Sequence, residues 1–112
     1  MYEQFLANVL HAGYQDMIVP LAQTSVNAAK ILRELGIRAQ LIYIDAAHEY
    51  EPVLHDLEAY WPLLDGGVLF GDDFAHAPVA DAVRTFAKRS AVRLYATEKK
   101  FALASDELAW PP

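Results

Sequence analysis

Two short apolar runs, each closed by an aspartate, constrain this chain more than any other feature: "LIYID" at Leu41–Asp45 and "VLFGDD" at Val68–Asp73. "LIYID" is apolar at both alternating sets of positions, the pattern of a strand buried between two helix layers. "VLFGD" reads as a second buried strand. Between them, "YEPVLHDLEAYWPLL" repeats Val53, Leu54, Leu57, Tyr60, Trp61 and Leu64 at helical steps. Pro52 suits a first helical turn, and "DGG" breaks the helix. Strand, helix and strand in this order build a parallel sheet with a right-handed crossover.

The alternation extends in both directions. Phe5, Leu6, Val9 and Leu10 have helical spacing, closed by Gly13. "MIVPLA" is a strand candidate, with Pro20 pointing to an edge or a bulge. Thr24 and Ser25 are capping residues ahead of a helix whose Val26, Ala29, Ile31, Leu32 and Leu35 share a face, with Gly36 as its stop. "APVADAVRTFAKRS" reads as a helix with Pro78 near its start. "AVRLYATE" and "KFALASDE" read as a hairpin around Glu98-Lys99-Lys100, and the "WPP" tail is irregular. The expectation is an α/β fold in one domain over 1–112, with a mostly parallel sheet and a C-terminal antiparallel hairpin. A chain of 112 residues is long enough to bury a core.

Composition narrows the function classes. There is no cysteine, which excludes disulfides and thiolate metal sites and makes a cytoplasmic location the expectation. The start, "MYEQFLANVL", has no basic segment ahead of its apolar residues, unlike a secretory signal. No apolar run approaches the ~20 residues of a membrane span. Without such a run no membrane partner is expected, and the net charge of −6 repels phosphate backbones, so nucleic acid is not an expected partner either.

In an open parallel sheet, ligands bind beyond the carboxyl ends of the strands. Asp45 ends one expected strand, and Asp72 and Asp73 end the next, so three carboxylates gather at one rim if the strands are neighbours. His48 and His76 follow three positions beyond Asp45 and Asp73. Each acid alone has an ordinary reading as a cap of the following turn. Together they suit a hard cation such as magnesium or calcium. His48 reads equally as a general base, a metal ligand or a solvated loop residue. His11 and His55 fall within helices and read as surface residues.

The segment "LIYIDAAHEYEPVLHDLEAYWPLLDGGVLFGDDF" resembles the second half of class I S-adenosylmethionine-dependent methyltransferases. It is similar to the subgroup with an "IDxxHxYxxVxxDLxxWxPLLxxGGxxxGDD" pattern, related to the macrocin and mycinamicin sugar O-methyltransferases and to cephalosporin-hydroxylase-like proteins. The resemblance covers about Phe5 to Phe86 and is specific between Ile42 and Phe74. It implies a Rossmann-like methyltransferase fold that is partial, lacking the first two strands. It implies S-adenosylmethionine as cofactor, with Thr24, Ser25, Asp45 and Ala46 as the cofactor-binding residues and Thr24 and Ser25 where the family loop passes the adenine. It implies Mg2+ held by Asp45, Asp72 and Asp73. His48 then takes the proton from a small-molecule hydroxyl acceptor fixed by the metal.

Class I members hold the cofactor with a glycine-rich loop after the first strand and an acid after the second. Gly13, Gly36, Gly66, Gly67 and Gly71 form no such loop. Two explanations fit: a fragment of a methyltransferase, or a short protein that kept the scaffold and lost the cofactor site. Without the first two strands, the Leu41–Asp45 strand presents a bare edge or pairs with "MIVPLA". A bare apolar edge invites another chain, so a homo-oligomer formed along it is expected. Two further readings are a non-catalytic association module and a small metal-dependent hydrolase using Asp45, His48, Asp72, Asp73 and His76.

Overall fold

The computed structural model describes residues 2–45 and 48–105. Helix α1 runs Tyr2–Ala12 and α2 runs Ser25–Glu34; strand β1 is Ala39–Ile44. Helix α3, Tyr50–Tyr60, ends in a 3-10 turn at Trp61–Leu63 and leads into β2, Leu64–Gly71. Helix α4, Ala77–Ser90, is followed by β3, Arg93–Ala96, and β4, Phe101–Ala104.

The helix ends follow local chemistry. The Thr24 hydroxyl accepts from the Asn27 backbone N–H and starts α2. Gly36, at φ +71, ends it, with the Ile37 N–H returning to the Leu32 carbonyl. Helix α4 begins with Pro78 in its first turn and carries Lys88 and Arg89 in its last, where cations meet the negative end of the helix dipole.

The four strands lie in the order β1-β2-β4-β3. Strand β1 pairs with β2 in parallel, whereas β2–β4 and β4–β3 are antiparallel. The C-terminal hairpin forms as expected, and its turn is closed by the Thr97 N–H bonding to the Lys100 carbonyl at 2.9 Å. Among the described residues parallel pairing is confined to one pair, and the strand expected over Met17–Ala22 does not form. Tyr14 instead accepts hydrogen bonds from the Met17 and Ile18 N–H groups. Pro20 has no N–H to give a ladder, and Val19 is 86% exposed.

Strand β2 starts earlier than "DGG" suggested, at Leu64. From Ala39 to Leu41, two steps of β1 span four steps of β2, from Leu64 to Val68. The surplus residues are absorbed at Gly66, which has φ +65, and at Gly67. A Cβ on Gly67 would sit 1.7 Å from the Gln40 carbonyl oxygen, so glycine is required for the strands to meet there.

Alternation along the strands sorts the sheet into two faces. Leu69, Phe101 and Leu103 pack with Val53, Leu54 and Leu57 of α3 and Val79, Val83 and Phe86 of α4, with Ile42 and Ile44 at the border. Leu41 and Tyr43 point to the opposite face and are 66% and 47% exposed. Burial of "LIYID" on both faces is therefore corrected: helices cover Ile42 and Ile44, and β1 is an edge strand.

Candidate functional site

The parallel register sets Ile44 beside Gly71. Asp45 and Asp72, the next residue in each chain direction, therefore leave the sheet at the same end. Asp73 follows with φ +65, a left-handed conformation uncommon for a residue with a side chain. This backbone turn accompanies a specific contact: Asp73 Oδ2 lies 2.9 Å from His48 Nε2. With the ring neutral and the carboxylate ionised, this pairing has Nε2 donating to Asp73 and leaves a lone pair on Nδ1. The His76 ring stacks on His48, with centroids 4.9 Å apart and planes within 7°. The His76 N–H bonds to the Asp73 carbonyl, and His76 begins α4. Asp72, Asp73, Ala75, His76 and Lys99 line a cavity of about 250 Å3 beside this group.

Asp45 faces a different set of neighbours. Tyr43 is held above its ordinary phenol range by partial burial, then by the charges of Asp45, Asp72 and Asp73, and by a hydrogen bond with Asp45. A second cavity, of about 200 Å3, runs along the β1 edge and is lined by Ser25, Ile42, Ile44, Asp45, Asp56 and Tyr60. The Tyr60 hydroxyl donates to the Ser25 carbonyl at 2.7 Å, tying α3 to the start of α2.

Asp56 falls on the aspartate of the "VxxDL" stretch of the quoted pattern but was given no role in the sequence. It is 7% exposed, and burial pushes its carboxyl above the usual range, with His55 opposing weakly. No hydrogen bond or ion pair holds its side chain among the described residues. Its spacing was a second signal. Asp56 stands three residues after Val53 and four before Tyr60, on the stripe that faces inward.

The expected site residues therefore divide. His48 and Asp73 come together, with His76 stacked on them. Asp72 turns to Lys100, at 3.7 Å. Asp45 and Ser25 share the β1-edge cavity. The Thr24 hydroxyl is taken up by the cap of α2, and Ala46 lies outside the described residues. The magnesium set does not fit this arrangement. Among the described residues no three His, Asp or Glu side chains converge to hold a metal ion, and two of the three expected ligands are directed at His48 and Lys100. Also among the described residues, no helix is long and apolar enough to cross a membrane.

Comparison with known proteins gives two positive findings. A family model described as "Methyltransferase domain" matches residues 1–74. The fold is similar to the apo structure of CalS11, a TDP-rhamnose 3'-O-methyltransferase of calicheamicin biosynthesis, with a TM-score of 0.66 and 20% identity. That match covers 99% of this chain and 52% of the other, so the chain spans about half the length of that enzyme. No curated protein matches in sequence.

Proposed function

Because this chain belongs to the methyltransferase-domain family, we propose that it is the acceptor-side half of an S-adenosylmethionine-dependent O-methyltransferase. When bound, the cofactor supplies an electrophilic methyl group on a sulfonium. Ser25 and Asp45, in the β1-edge cavity, are the cofactor-side residues of this reading. His48 is its general base: Asp73 holds Nε2–H, and Nδ1 takes the proton of a small-molecule hydroxyl as the oxygen gains the methyl group. His76 keeps the His48 ring in plane by stacking. The observation that carries the reading is the 2.9 Å contact between His48 and Asp73 at the strand ends.

Labelled methyl transfer from S-adenosylmethionine to a panel of sugar and catechol hydroxyls tests the proposal. Transfer is expected in the wild-type chain and should fall by about 10²–10⁴-fold in His48→Ala, the usual worth of a general base. A His48→Ala chain that transfers at the wild-type rate, or a wild-type chain that labels no acceptor, would contradict it.

A second reading is a non-catalytic module that self-associates through β1. It is favoured by the outer edge of that strand, unpaired among the described residues, and the exposure of Leu41. Light scattering would then give a mass above one chain that returns to one chain in Leu41→Lys. A wild-type mass of one chain would rule it out.

A further inference from the structure

Strand β1 pairs with β2 alone among the described residues, so its N–H and C=O groups that point away from β2 have no ladder partner there. Beside this edge lies a hollow of about 150 Å3 with Leu32, Ile37, Leu41, Ile42 and Leu63 on its walls. It shares Ile42 and Tyr60 with the cavity at Asp45, so the two form one groove along β1. Helix α2 bounds that groove towards both ends, through Ser25 and Leu32. Among the described residues, every exposed large apolar side chain lies between Tyr2 and Tyr43, and Ile37, Leu41 and Tyr43 of that set line the groove.

A second copy of the chain fits this groove poorly. Two β1 strands joined antiparallel by a two-fold axis keep their helices on one face of the joined sheet. Adjacent strands lie about 4.8 Å apart, whereas packed helices need roughly 8–10 Å. Both α2 helices would therefore compete for one seam, because α2 already stands along the β1 edge. A parallel two-fold pair sets the outward groups of equivalent residues directly opposite each other, without the stagger of a parallel ladder. A strand that brings no such helix meets neither obstacle.

From this geometry we infer that the groove takes an extended segment of a different polypeptide, added to the sheet as a strand beside β1. Its side chains on the helix face enter the hollow between Leu32, Ile42 and Leu63, and those on the other face cover Leu41 and Tyr43. Both sets suit β-branched residues. The groove is also charged at its two ends. Arg38 gives an N–H to the Leu64 carbonyl at 2.8 Å and has no ion pair among the described residues, while Asp45 and Asp56 stand at the far end. A matching segment carries an acid at the Arg38 end and a basic residue at the Asp45 end. The inference stands apart from the methyltransferase reading, since it uses only the strand edge, the hollow and these charges.

The probe is a short capped peptide in which valine and threonine alternate between an N-terminal aspartate and a C-terminal lysine. Its binding to the full chain is measured by calorimetry, beside the same peptide N-methylated at alternate residues, which cannot donate to a ladder. The unmodified peptide is expected to bind saturably and to slow hydrogen exchange at the β1 amides. The N-methylated form should bind at least tenfold more weakly, and so should the unmodified peptide to Leu32→Lys, with a thermal melt to show that this variant is folded. If that variant does not fold, the contrast between the two peptides and the exchange at β1 still decide. Equal binding of the two peptides, binding that leaves β1 exchange unchanged, or no heat at millimolar peptide overturns the inference. So does a wild-type mass of two chains that returns to one in Leu41→Lys, because a second copy would then own the groove.

Discussion

At single residues, the chemistry of this chain depends on which carboxylates have partners. Asp73 is engaged by His48 and Asp72 by Lys100, whereas Asp56 is buried without a hydrogen-bond or ion-pair partner among the described residues. Asp73→Asn replaces the acceptor of the His48 Nε2–H with a group able to flip and donate. Methyl transfer should then fall with little change in melting temperature, because the pair is largely exposed and exposed ion pairs contribute about 0–1 kcal/mol. Asp56 acts on stability instead. Its folded-state pKa is raised, so its contribution is fully present below the unfolded pKa and is lost as pH rises through the folded value. Asp56→Asn is therefore expected to raise the melting temperature at pH 7–8 and to give no gain near pH 3. The gain should be several degrees, since about 1 kcal/mol corresponds to roughly 4–8 °C in a domain of this order. Melts of both chains across that range check the sign, and a gain that is the same at both ends would refute the assignment. Of these residues, His48, Asp72 and Asp73 could be read from the sequence because acids after apolar runs announce strand ends. Their pairings could not, since the contact with Lys100 comes from a hairpin tip far along the chain.

Among the elements, periodicity located α1, α2, α3 and α4 closely, because each carries an apolar stripe and a stop or start residue. Helix α4 runs over the expected Ala77–Ser90. Periodicity failed at "MIVPLA", where apolar content without a pairing partner gives no strand: Met17 and Val19 lie open. It also misread "DGG" as a pure break, because a bulge inside a strand and a turn before one use the same residues. Gly67→Ala tests the structural account, since its Cβ would collide with the backbone of Gln40. A loss of at least about 1–3 kcal/mol is expected, seen as a lower urea midpoint. An unchanged midpoint would mean that β1 and β2 do not meet in this register.

The whole molecule is a sheet with its helix core on one side and an edge strand that carries the candidate cofactor side. The other sheet edge, β3, is four residues long and carries Arg93, which makes it a poorer template for pairing than β1. Family membership and a fold that fills half of a solved methyltransferase make cofactor recognition the property on which the functional reading depends. A calorimetric titration of S-adenosylhomocysteine into the purified chain, with and without magnesium, measures it. Saturable micromolar binding, unchanged by magnesium, is expected if the β1-edge cavity is a cofactor subsite and the rim acids are committed to His48 and Lys100. No heat at millimolar ligand would contradict the reading and leave the chain as a methyltransferase scaffold without its cofactor site.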